Sequence, residues 1–108
     1  MTTIRLLEAT AKTDALHKQD SIREIDFTQV AEYAVILPIG IEVEGNTYTV
    51  HRSDTAASRW AMRLAKKRKI PVVIVDKKGL IYQPVRDTET GKHGLIPTNK
   101  TLENITIY

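Results

Sequence analysis

The chain has 108 residues, enough for one domain with a real core. It has no cysteine, which excludes disulfides, thiolate nucleophiles and cysteine metal sites. Sixteen Lys and Arg against thirteen Asp and Glu give a net charge of only +3, but residues 1–50 hold four basic and eight acidic residues, a net −4, and residues 51–108 hold twelve and five, a net +7.

Such a split points to a nucleic-acid footprint on the C-terminal half, to a molecule with complementary faces, or to halves that simply interleave in space. The dense apolar stretch at 34–41 is broken by Pro38 and Gly40 and falls far short of the roughly 20 residues of a membrane span. "MTTIRLLEAT" lacks the apolar run of a secretory signal. The expectation is a soluble cytoplasmic protein, one domain over 1–108, without contact to a membrane.

At the start, Ile4, Leu7, Ala11 and Ala15 recur near helical spacing while Ile4 and Leu6 alternate as in a strand. These patterns predict an opening strand and a short helical turn, in an N-terminal arm at 1–20 that is free to move or exchange. "SIREIDF" alternates Ile25 and Phe27 with charges and reads as a strand with one wet face. Ile39, Ile41 and Val43 alternate with Gly40, Glu42 and Glu44, and Tyr48 and Val50 alternate after Glu44-Gly45-Asn46. That pattern predicts a β-hairpin with 39–43 as its first arm and Pro38 at an edge or bend.

"SDTAASRWAMRLAKKRK" is the clearest helix. Ser53 or Asp54 can cap it, and Pro71 helps to end it. Ala57, Trp60, Ala61, Leu64 and Ala65 form one apolar stripe, with Trp60 and Leu64 expected to be buried against Val73 of the sheet. Val72–Val75 reads as a strand covered on both faces. Asp76-Lys77-Lys78-Gly79 is a turn, and Leu80–Gln83 returns, with Pro84 limiting it to an edge or an end. "RDTETGKHG" reads as a polar loop, and "LENITIY" as a last strand. The order hairpin, helix, hairpin, strand predicts an α+β fold: a mostly antiparallel sheet with one main amphipathic helix packed on one face. No motif supports a family name.

Six of the sixteen basic residues fall within "RWAMRLAKKRK", 59–69. Arg59, Arg63, Lys66 and Lys67 lie at i, i+4, i+7 and i+8, opposite the Trp60 stripe. Cations in a helix's last turn offset its partial negative charge, by roughly 0.3–1 kcal/mol each, which accounts for Lys66 to Lys69 without a ligand. It leaves Arg59 and Arg63 unexplained, and no carboxylate stands four residues before either. A solvated helix face is one reading of this row; a surface that neutralises phosphates is the other. Arg52, Lys77 and Lys78 would extend such a surface if the turn folds toward the helix.

His17, His51 and His93 are scattered, without metal-ligand spacing, so neither metal nor other cofactor is expected. His51 with His93 has the residue types for a metal-free ribonuclease, and "HRSD" at 51–54 is better read as a helix cap than as a triad. "ETGKHG" has the composition of a small anion nest without the strand and helix of a phosphate loop. Tyr48 and Tyr82 are the strand aromatics that could face a ligand. The expected function is therefore a small non-catalytic binding protein that contacts nucleic acid, or failing that an acidic protein surface, through Arg52, Arg59, Arg63, Lys66, Lys67, Lys77 and Lys78. The alternatives are a protein–protein or self-association module forming a homo-oligomer, such as an inhibitor, and the ribonuclease.

Overall fold

The computed structural model describes residues 2–9 and 20–108; the helical turn expected after the first strand, and His17, lie outside them. The elements run β1 (Thr2–Ala9), β2 (Asp20–Phe27), β3 (Tyr33–Ile36), β4 (Tyr48–His51), α1 (Asp54–Lys67), β5 (Val73–Asp76), β6 (Leu80–Arg86), β7 (His93–Thr101) and β8 (Ile105–Ile107). The fold is α+β and mostly strand. It has two antiparallel sheets where one was expected: β2-β1-β8, and β4-β3-β5-β6-β7.

The larger sheet is the middle of three layers. β3 is its hub because Ala34, Val35 and Ile36 form an unbroken apolar run, and all three are buried. Val35 and its ladder partner Ile74 face Ala57, Ala61 and Leu64 of the helix. Ala34, Ile36 and Val75 face Ile4, Ile25 and Phe27 of the small sheet. Each of these fully buried large side chains contributes roughly 1.5–3 kcal/mol of transfer free energy. Each sheet is divided once between the halves of the chain, β2 and β1 beside β8, and β4 and β3 beside β5, β6 and β7, so the acidic and basic segments meet along one seam per sheet and do not alternate.

Where the pattern misleads, packing explains why. The hairpin that ends in β4 uses Tyr33–Ile36 as its first arm, not 39–43. Two layers needed an apolar strand between them, and the alternating run serves only one face. Ile39 and Ile41 are accordingly exposed, and Val43 alone of that run reaches the core. The turn itself stands as read: Val43 and Asn46 exchange two backbone hydrogen bonds of 3.0 Å around Glu44 and Gly45, both at positive φ. β6 continues through Pro84 to Arg86. Its last pair with β5 is Ile74–Tyr82, so Pro84 has a neighbour on the β7 side only and the missing N–H costs no central ladder. β7 itself falls where the sequence reads as loop and unassigned polar chain. It is an edge strand, which tolerates Pro97 and a polar composition.

The helix begins as expected, with the Ser53 hydroxyl accepting the Ala56 N–H at 3.2 Å. It ends where Lys69 turns left-handed at φ 57. Its buried face is rotated slightly from the predicted stripe. Ala57, Ala61 and Leu64 are buried, Ser58 joins them, Trp60 is half-buried and Ala65 is exposed. The β6–β7 hairpin causes the rotation by packing over the Ser58 side, where the Ser58 hydroxyl donates to the Val85 carbonyl at 3.2 Å. Val73 does not join Trp60 and Leu64: Ile74 takes that place, and Val73 points to the other face, 37% exposed.

Candidate functional site

Helical periodicity puts Arg59, Arg63, Lys66 and Lys67 on the outer side of α1, where all four are exposed. They do not stand as a bare row. With Met62, Arg86 and His93 they line a shallow hollow of about 200 Å³. Arg86 and His93 are direct partners in the β6–β7 ladder, so their side chains leave the sheet on one face, side by side. Cations from α1 and β6 and an imidazole from β7 thus converge, with Met62 as the apolar part of the lining and no carboxylate in it.

A second hollow, about 330 Å³, adjoins the first and shares Arg86 and His93 with it. Asp54 and Asp87 are in its lining, with Lys92. On that side the positive region therefore gives way to a lining in which two carboxylates offset Arg86 and Lys92. Asp87 is a firm part of it: its carboxylate accepts the Glu89 and Thr90 backbone N–H groups at 2.8 and 3.3 Å. Those bonds hold its pKa below the usual range, against the opposing effect of desolvation.

His93 is the most constrained member of the site. Its carbonyl accepts the Thr55 hydroxyl at 3.2 Å, and its Nδ1 lies 3.5 Å from the Ser58 hydroxyl. The Ser58 hydroxyl also has the Val85 carbonyl at 3.2 Å and the Met62 sulfur at 3.9 Å within reach, so it links the ring to both the helix and β6. Desolvation, then the charges of Arg86, Arg59 and Lys66, push the His93 pKa below its ordinary 6.5. The imidazole is thus neutral at pH 7.

Of the seven residues singled out in the sequence, the structure brings four together. Arg52 is exposed ahead of the helix cap and does not line the hollow. Lys77 and Lys78 sit on the β5–β6 turn, at the opposite end of β6 from Arg86, and the turn does not extend the basic surface into the hollow. Lys77 instead lies 3.9 Å from the Glu32 carboxylate. The sequence does not single out Arg86, and it offers His93 for metal or acid–base chemistry and within the "ETGKHG" nest, not as a neighbour of the helix row. The pairing of "R86" with "H93" across a six-residue loop becomes visible only once β7 is recognised as a strand.

The other candidates are committed elsewhere. His51 lines neither hollow that His93 lines; its Nε2 is 2.8 Å from the Thr49 hydroxyl, and burial lowers its pKa. Ser53 of "HRSD" accepts the Ala56 N–H at 3.2 Å as the helix cap. Tyr82 donates to Asp76 at 2.9 Å and packs edge-on against Tyr33, with ring centroids 5.4 Å apart. The Tyr48 hydroxyl accepts the Asp26 N–H at 3.1 Å. Among the described residues no group of three or more His, Asp or Glu could hold a metal ion, and no helix is long and apolar enough to cross a membrane.

Comparison of the chain with protein-family models, with curated proteins and with solved structures found no match, so its functional reading rests on its own residues.

Proposed function

We propose that the protein is a small non-catalytic domain that binds nucleic acid through phosphate contacts in the basic hollow. The observation that carries this reading is the convergence of Arg59, Arg63, Lys66 and Lys67 with Arg86 and His93 on one concavity that no carboxylate lines. Five permanent cations held together repel one another, and an anion of several oxygens removes that cost. Guanidinium groups suit the task because their fork of donors matches phosphate oxygens in pairs.

The lining holds no Asn or Gln to pair with adenine edges and, beside the imidazole of His93, no aromatic ring on which a base would stack. Phosphate contacts fix position on a strand and carry no sequence information. Affinity should follow charge and salt, with little regard for base identity.

A fluorescence-anisotropy titration with mixed-sequence duplex and single strands, at two salt concentrations, tests the reading. Binding at low salt that weakens steeply as salt rises supports it. Absence of binding by the wild-type chain at low salt contradicts it and leaves the hollow as a seat for carboxylates of an acidic protein, which direct titration with labelled polyglutamate would reveal.

A further inference from the structure

We propose that the hollow selects phosphomonoesters, the free phosphate at a strand end or on a nucleotide, over the phosphodiesters inside a strand. The inference rests on the phosphate reading above and goes beyond it by naming which phosphate.

The first argument is shape. A helix face that tracks a backbone presents its cations in a convex row, whereas here the β6–β7 hairpin closes one side of the row with Arg86 and His93. A volume of about 200 Å³ lies below the roughly 300–1,000 Å³ of ordinary small-molecule sites. It suits one phosphate with part of its sugar against Met62, rather than a run of backbone.

The second is chemistry. A diester phosphate offers two unbridged oxygens and one negative charge. A monoester offers three oxygens and, with its second ionisation near pH 6, a charge of about −1.5 to −2 at pH 7. Three guanidinium groups, Arg59, Arg63 and Arg86, line the hollow, and three oxygens offer three pairs for their forks where a diester offers one.

The third is the loss of positive excess on one side. An internal phosphate must send chain out in two directions. In the adjoining hollow Asp54 and Asp87 offset Arg86 and Lys92, so a backbone continuing that way gains no net attraction. A terminal phosphate needs a single exit, along the helix past Lys66 and Lys67, and forgoes nothing by ending there.

The test compares one single-stranded sequence carrying either a phosphate or a hydroxyl at its 5′ end, and likewise at its 3′ end. Salt is set near physiological strength to screen non-specific contacts. The phosphorylated strand is expected to bind roughly ten-fold tighter at one end at least, the size of one added charge-assisted contact. Arg86→Gln should bring the ratio of the two affinities toward one. Arg86→Lys, which keeps the charge and loses the fork, should restore it only in part; melting curves check that both variants fold. A nucleoside monophosphate that displaces the strand extends the source to free nucleotides. Equal affinities for phosphate and hydroxyl ends overturn the inference while leaving the nucleic-acid reading intact. Binding of the nucleoside monophosphate without binding of any strand does the reverse. Failure of strands and monophosphate alike ends both.

Discussion

Arg86 and His93 stand opposite one another across the β6–β7 ladder, and this pairing turns a row of helix cations into a hollow. The helix supplies the charge. The hairpin supplies the wall, and with it an imidazole whose charge depends on what the hollow holds.

That dependence has a definite sign. In the free protein the His93 pKa lies below 6.5, so the ring is neutral at pH 7. A bound anion favours the imidazolium and raises the value. Between the two values the complex holds up to one proton more than the free protein, so affinity should rise as pH falls through the bound-state value and level off below the free value, which itself lies under 6.5. A strand with hydroxyl ends is the proper ligand, since its diesters do not titrate there. His93→Gln should remove the rise; a wild-type affinity independent of pH over this range would show that no anion reaches the ring.

A second prediction concerns the seam between the sheets. Gly79 closes the β5–β6 turn at φ 82, and a Cβ there would lie 2.5 Å from Cδ1 of Ile105 in β8. The Gly79 carbonyl also accepts the Leu102 N–H at 2.9 Å. Gly79→Ala should therefore destabilise the fold by about 1–3 kcal/mol, through left-handed strain and overpacking together. Ile105→Val removes the obstructing methyl, so the double variant should lose less than the sum of the singles in denaturant melts. Strict additivity would mean that the turn and β8 do not press on one another.

The fold class was legible in the sequence because its strongest signals are local. Ser53 before an apolar stripe, Asp76 and Gly79 bracketing two lysines, and Glu44-Gly45 between strand-like runs each specify their own geometry. What was not legible depends on layers. The run 39–43 alternates well yet stays outside the larger sheet, since burial between two layers favours the unbroken Tyr33–Ile36. β7, with Gly94, Pro97 and Asn99, has little strand character of its own and exists because β6 offers it a ladder. Half of the candidate site was visible as a helix row for the same reason: α1 announces itself, and the strand that brings His93 to it does not.

Trp60 gives a third prediction. It is half-buried against the helix-side cluster, and its Nε1 is buried without a hydrogen-bond partner among the described residues. Trp60→Ala should cost less than the roughly 3–5 kcal/mol of a fully buried aromatic. Trp60→Phe should cost about 1 kcal/mol or less, since the lost N–H makes no bond and its burial is unfavourable. Thermal melts of the two variants decide it. A Phe variant as weak as the Ala variant would show that the indole N–H does find a partner.

The most direct test of the central claim, that the helix cations hold phosphate, is the salt dependence of duplex binding by the Arg59→Gln/Arg63→Gln variant. Both side chains are exposed, so the fold should survive. Each phosphate neutralised adds roughly 0.9 to the slope of log affinity against log salt. The double variant should therefore lose at least one phosphate's worth of slope, roughly 0.9, and up to twice that where the two arginines reach neighbouring phosphates of the duplex; Lys69→Gln, outside the hollow, should lose much less. An unchanged slope in the folded double variant would contradict the account.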